Sequence, residues 1–355
     1  MKQILRISPY QMKIFFGSFL AVFVMMLLKQ VGVSLPLPKL HAQPSPSLSA
    51  TTWQRVVKLL KPGDSYTIHP SRSGALVSTA YASGDTANAR AYVVVDYATG
   101  EMLFREQSSE ELPIASLTKL MSAVIALDLM KPDDRIRITQ RAASMEATRI
   151  GVIPGQRMTV EELLEGMLLT SANDAAEALR DGVDTAYNSS VFIRAMNEKA
   201  KLLGLSHTHF SNPEGFDSPG NYSSASDLAK LTHYALTTYP LLARIVAHDY
   251  LFLSQNADHK QFDLYNWNGL LDVYPDIEGV KIGNTVQAGM TMIVLSNRGG
   301  RKILTVLLGA PTITDRDLWA SELLDAGYEM TLGLSPINVT KEALLAKYAT
   351  WRYWQ

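Results

Sequence analysis

Ser116 and Lys119 stand three residues apart in the run Leu112 to Met130, LPIASLTKLMSAVIALDLM. On a helix that spacing puts both side chains on one face, one turn apart. A serine hydroxyl is a weak nucleophile until a base within hydrogen-bond reach takes its proton. A lysine amine serves as that base only when its pKa falls, and burial or a second nearby cation lowers it. The backbone N–H groups at a helix start can also hold a developing oxyanion. A capping serine beside a snorkelling lysine writes the same four letters, so the motif needs company before it means catalysis.

Two further short signals follow in order, Ser171-Ala172-Asn173 and Lys281-Ile282-Gly283. Read alone, Ser171 and Asn173 are turn formers, and Lys281 is an exposed strand residue. Acyl transfer needs a nucleophile, a base, an acid for the leaving amine and oxyanion donors, and the three signals together offer a candidate for each role.

The elements that must position these groups are legible. Pro113 precedes the serine and Lys131-Pro132-Asp133-Asp134 closes the segment, so Leu112 to Met130 reads as one helix. Leu117, Leu120, Met121, Val124 and Ile125 follow helical spacing, and Ala123, Ala126, Leu127 and Leu129 fill most of the rest. A helix apolar on nearly all sides belongs in a domain core. Ala91 to Asp96 and Met102 to Glu106 are strand-like around the turn Ala98-Thr99-Gly100, predicting a hairpin. Arg135 to Thr139 reads as a short strand. Thr159 and Glu162 form a capping box ahead of the stripe Val160, Leu163, Leu164, Met167 and Leu168. That helix runs into the turn Ser171 to Asp174, and helix resumes at Ala175. Val191 to Leu203 is helical with Gly204 as its C-cap, and Ser206 to Ser223 is a polar loop. A helix starts at Ser224 or Ser226 and ends before Pro240, and Leu251 to Leu253 is a short strand candidate. Gly279 to Thr285, Thr291 to Asn297 and Lys302 to Gly309 are strand-like, the last two joined by Arg298-Gly299-Gly300-Arg301. Asp315 to Tyr328 closes the pattern as a helix.

Two early strands, a helical block, then three strands and a helix predict an α+β fold: an antiparallel sheet of about five strands packed against a helical cluster. The early hairpin is expected to join the late strands. The chain of 355 residues carries a net charge of −1 and has neither a basic surplus suited to nucleic acid nor an acidic tail. It has no cysteine, which excludes disulfides, thiolate metal sites and a cysteine nucleophile. Its seven histidines show no zinc-binding spacing, so neither a metal nor an organic cofactor is expected.

Lys2, Arg6 and Lys13 precede the apolar run Ile14 to Leu28, a basic region followed by a hydrophobic one. Residues 1–35 are therefore expected to be a signal or membrane anchor. Leu40-His41-Ala42 is a candidate cleavage site, but a Pro-containing stretch separates it from the apolar run, which favours an uncleaved anchor. Residues 36–88 read as a Pro/Ser/Thr-rich spacer in which Thr52 to Leu60 is a short helix candidate. Residues 89–330 hold the catalytic domain, and 331–355 form a short tail whose end, Lys341 to Gln355, is only a weak anchor candidate.

The three motifs, with the surrounding blocks PIASLTKLMSA, LLEGMLLTSANDAA, SNPEGFDSPGNYSSASDLA and GVKIGNT, resemble the penicillin-binding serine D-alanyl-D-alanine carboxypeptidases. These low-molecular-mass peptidases are related to the serine β-lactamases, and the resemblance covers roughly Arg90 to Tyr328. It implies a β-lactamase/transpeptidase-like fold. It implies Ser116 as the nucleophile, Lys119 as its base, and Ser171 as a proton relay towards the leaving D-alanine. Asn173 would hold the substrate amide or orient Lys119. Lys281 would bind the peptide carboxylate and depress the pKa of Lys119 and Ser171. The N–H groups of Ser116 and Asn284 would form the oxyanion hole, Gly283 would let substrate approach the strand, and Arg316 would lie near the carboxylate. The implied partners are the peptidoglycan stem peptide and β-lactam antibiotics as acylating inhibitors. The basic and apolar N-terminal segment adds the membrane as a partner, with the remainder expected at the extracytoplasmic face of the bacterial plasma membrane. Ile282 departs from the family's Lys-Thr-Gly and removes a hydroxyl that would meet the carboxylate. A catalytically impaired wall-binding scaffold and a β-lactamase-like hydrolase stay open as alternatives. The latter needs a carboxylate to activate water, and the sequence offers no clear one: Glu214 and Asp217 lie in a plausible loop, but the NPEGF wording fits the carboxypeptidases better.

Overall fold

A computed structural model of the chain describes residues 48–70, 88–146 and 148–351. The expected signal or anchor, its cleavage site and the residues after Trp351 lie outside them. Among the described residues, no helix is long and apolar enough to cross a membrane.

The strands are β1 (His69–Pro70), β2 (Ala91–Asp96), β3 (Glu101–Glu106), β4 (Arg135–Arg137), β5 (Arg157–Thr159), β6 (Tyr250–Leu253), β7 (Phe262–Tyr265), β8 (Ile277–Thr285), β9 (Gly289–Arg298) and β10 (Arg301–Ala310). The main sheet runs β1-β3-β2-β10-β9-β8. The early hairpin joins the late strands as expected, through antiparallel β2 and β10, with Ala91 opposite Leu308 and Asp96 opposite Ile303. The five expected strands are antiparallel neighbours. The sixth, β1, comes from the expected spacer and pairs in parallel with β3. β4 with β5, and β6 with β7, form two small antiparallel ribbons.

The sheet is buried on both faces, which explains why β2 reads AYVVVD without polar alternation. Ala91, Val93 and Val95 face the helical cluster, while Tyr92 and Val94 face the helix Ile313–Leu332. The helix Thr118–Leu129 is buried along nearly its whole length. The segment before it is not one helix from Leu112, because Leu112 bridges Ser223 and Ala115–Leu117 forms a 3₁₀ turn. Pro240 does not merely follow a helix end. It occupies the first turn of a new helix, Pro240–Val246, where its missing N–H costs nothing.

Two expected appendages pack on the domain. In the spacer, the helix Ala50–Leu59 is capped by Ser49, and Val56 and Leu60 enter the main core. In the tail, the helix Lys341–Tyr348 buries Leu344 beneath the helix Ile313–Leu332. The described part of this tail, residues 331–351, therefore packs on the domain, with Leu344 buried and Leu345 exposed.

A buried ion pair ties the helical cluster together. Lys199 Nζ lies 2.6 Å from Asp128 Oδ2, with neither side chain exposed. Tyr239 OH also donates to Asp128, and Lys199 donates to the Lys61 carbonyl. Removing one partner leaves the other charge buried and unmatched. Lys199→Met is therefore expected to cost about 3–5 kcal/mol, read as a lowered urea midpoint at unchanged slope. A loss below about 1 kcal/mol, the level of a surface pair, would contradict this.

Candidate active site

Ser116 sits in the 3₁₀ turn that leads into the central helix, partly exposed. Its neighbour Ala115 has φ 50°, a left-handed conformation that a non-glycine residue adopts only when its surroundings impose it. Two segments impose it here. On β8, a Cβ at Gly283 would lie 2.8 Å from Ser116 N and 3.0 Å from Ala115 Cβ. In the polar loop, a Cβ at Gly215 would overlap the Ala115 carbonyl. That loop is fixed in turn. Asn212 Oδ1 accepts from the N–H groups of Gly215 (2.7 Å) and Phe216 (3.0 Å), and Ser122 Oγ donates to the Pro213 carbonyl (2.7 Å).

Lys119 Nζ spends its donors on Ser116 Oγ (2.8 Å), Asn173 Oδ1 (2.7 Å) and the Glu214 carbonyl (2.6 Å). The side chain is fully buried, and burial pulls its pKa down to about 7, against the raising effect of Glu214 and Asp174. A lysine so tuned can be neutral near neutral pH and accept the serine proton. Lys281 is itself held well below the usual lysine range, by burial first and then by Lys119 and Arg316, and the repulsion between the two lysines is mutual.

Ser171 connects the helices Val160–Leu169 and Asn173–Ala186, with φ 60°. It lines the same cleft as Ser116, and its neighbour Thr170 donates through Oγ1 to the Gly166 carbonyl (2.9 Å). The second helix begins at Asn173, earlier than its sequence suggests. Asn173 N donates to the Thr148 carbonyl and its Nδ2 to the Glu146 carbonyl. Next to it, the buried Asp174 carboxylate accepts from the N–H groups of Ile150, Gly151, Val152 and Ala175. These bonds hold the 148–152 loop against the cleft.

On β8, Lys281 and Gly283 face the nucleophile, opposite Ile293 and Thr291 of β9. Ile282 points to the other face, packs in the layer beneath the helix Ile313–Leu332, and borders the cleft near Arg316. Asn284 is exposed and lines the cleft beside Gly283. Lys281 Nζ donates to the Ile282 carbonyl (3.1 Å). Arg316 lines the cleft but is not a free cation. Its Nε and Nη2 donate to Asp317 Oδ1 (2.7 Å) and Oδ2 (3.0 Å).

All eight expected residues thus converge on one region. The sequence reading missed the Glu214 carbonyl, the Arg316–Asp317 pairing, and Thr148, Phe216, Trp267 and Trp351 in the cleft wall. Only the NPEGF wording pointed towards the first of these. Among the described residues, no acidic or histidine cluster could hold a metal.

A buried lysine bonded to a serine beside the edge strand β8 is an arrangement suited to acyl transfer. The family model for D-alanyl-D-alanine carboxypeptidases of peptidase family S11 matches residues 78–312, and the chain belongs to that family. It is 34% identical over 245 residues to the D-alanyl-D-alanine carboxypeptidase DacF of Bacillus subtilis, covering 68% of this chain and 62% of that protein. It is 31% identical to DacC of Escherichia coli, a protein of the same description, covering 78% of this chain and 70% of that one. Among solved structures, a Streptomyces DD-transpeptidase superposes with a TM-score of 0.63 at 27% identity, covering 68% of this chain and 97% of that one. The mixed fold expected from the motifs is the fold of these proteins.

Proposed function

We propose that the chain is a serine-type D-alanyl-D-alanine carboxypeptidase that removes the terminal D-alanine from peptidoglycan stem pentapeptides. The observation that carries the reading is the 2.8 Å bond between Lys119 Nζ and Ser116 Oγ, made by a lysine whose pKa lies at about 7.

Ser116 Oγ attacks the carbonyl carbon of the penultimate D-alanine as its proton passes to neutral Lys119. The negative charge that develops on the carbonyl oxygen meets the N–H groups of Ser116 and Asn284. Collapse breaks the amide bond. The leaving nitrogen takes a proton by way of Ser171, which lines the same cleft, and D-alanine departs. The acyl ester on Ser116 is then attacked by water, whose proton Lys119 accepts and returns to Ser116 Oγ. Asn173 fixes Lys119 through its Oδ1, and Lys281 and Arg316 draw the free carboxylate of the substrate into place.

A β-lactam mimics the scissile amide and would acylate the same serine. The β-lactamase alternative requires an ionised carboxylate to activate the deacylating water. Glu214 does not suit that role: burial and its buried neighbour Glu177 raise its pKa to about 8, and its carbonyl, not its carboxyl, faces Lys119. Asp217 is engaged at the rim by Thr285 Oγ1 (2.5 Å) and Gln287 N (3.1 Å). We further propose that residues 1–35 tether the enzyme to the outer face of the plasma membrane, a reading supported by their basic and then apolar pattern.

The test is D-alanine release from diacetyl-Lys-D-Ala-D-Ala by the parent chain beside Ser116→Ala. Release by the parent alone supports the proposal. No release by a folded parent overturns it in favour of the scaffold reading.

A further inference from the structure

The family match ends at residue 312, yet the cleft is completed by residues beyond it. Arg316 lies on the first turn of the helix Ile313–Leu332 and is 2% exposed. Trp351, from the extreme C-terminal end of the described chain, lines the same cleft and packs at a tilt on Tyr348, with ring centroids 4.7 Å apart. The segment that carries them is firmly held. Lys347 Nζ bonds Asp249 Oδ1 (2.7 Å) and Asp272 Oδ2 (2.9 Å), and Leu344 is fully buried. Tyr348 OH donates to Asp317 Oδ2 (2.7 Å), the oxygen that also accepts from Arg316.

We infer that the C-terminal segment Lys341–Trp351 is part of the substrate site, and that Tyr348 is a positioning residue which sets Arg316, through Asp317, for the free carboxylate of the substrate. This rests on the carboxypeptidase reading above. Asp317, wholly buried, claims the guanidinium in a two-point pair that competes with any incoming carboxylate. The hydroxyl of Tyr348 occupies one Asp317 oxygen and draws off part of its charge, so Arg316 keeps attraction to spare. It also fixes Asp317, and with it the plane of the guanidinium. Burial raises the pKa of Tyr348, so it remains a donor across the working range. Without that hydroxyl, Asp317 holds Arg316 more tightly and less squarely, and recognition of the carboxylate weakens.

The experiment compares the full chain with Tyr348→Phe, which keeps the ring and its packing. The substrates are diacetyl-Lys-D-Ala-D-Ala as the free acid and as its C-terminal carboxamide. For the acid, Tyr348→Phe is expected to raise KM about five- to tenfold, the effect of one perturbed charged hydrogen bond, with kcat within about twofold. For the carboxamide, kcat/KM should not change. An unchanged KM for the acid overturns the inference, and so does an equal loss on both substrates, which would mark general loosening of the cleft. A parent that prefers the acid no more than the carboxamide overturns the inference while leaving the carboxypeptidase reading intact. A parent that cleaves neither peptide overturns both.

Discussion

Lys119→Met is expected to slow acylation of Ser116 by about 10³-fold, the middle of the range for loss of a positioned general base. The variant replaces a fully buried amine with an apolar chain of similar length. The fold should therefore survive, and the loss should be chemical. The parent adds a sharper signature. Burial pulls the pKa of Lys119 down to about 7, and only its neutral form accepts the serine proton. Below that pH it is protonated, so the acylation rate falls about tenfold per unit of pH. Above it the rate levels off. Stopped-flow acylation by a fluorescent penicillin across this range, with the parent and Lys119→Met, measures both effects. A flat parental profile through neutrality would mean that Lys119 is not the base. A variant that kept its rate would mean the same.

Gly283→Ala is expected to lower acylation by about 10²-fold, the scale of one misplaced oxyanion donor. The added Cβ would stand 2.8 Å from both Ser116 N and Thr291 Oγ1, and 3.0 Å from Ala115 Cβ. Two of those atoms belong to the turn that presents the nucleophile, and that turn already holds Ala115 at positive φ. The strand and the turn must therefore separate by a few tenths of an ångström or more. Overpacking of this kind costs about 1–3 kcal/mol, so the melting temperature should fall as well. The useful contrast is with Lys119→Met, which removes the base and leaves the donors in place. Rates of acylation, with melting temperatures alongside, test this. A Gly283→Ala protein that matches the parent in rate would show that the β8 edge is not held against Ser116.

The parts of the site written as residue types at short spacing were legible before the fold was known. Serine and lysine one helical turn apart, and a lysine followed two positions later by glycine on a strand, specify geometry through the period of the element that carries them. The same holds for the strands, since β2, β9 and β10 announce themselves by β-branched runs and by the Gly299-Gly300 turn. Other parts carry no such signal. The third acceptor for Lys119 is a main-chain carbonyl, which any residue at position 214 would supply. Asn173 reads as a turn former because its side chain can bond locally, and its place at a helix start depends on the distant Thr148 carbonyl. The ribbon strands β5 and β7 are too short for a period to show. Tyr348 and Trp351 sit in an aromatic tail that reads as unattached, because their partners, Asp317 and the cleft, are contacts between distant parts of the sequence.

Everything above turns on Ser116, activated by Lys119, forming the covalent intermediate. The most direct measurement is mass spectrometry of the peptides released from the full chain after brief exposure to benzylpenicillin. One penicilloyl group is expected, on the peptide containing Ser116, that persists while free penicillin is removed, with no adduct on Ser116→Ala. An adduct on another residue, or no adduct on a folded parent, would contradict it, and rapid loss of the adduct with turnover of penicillin would restore the β-lactamase reading.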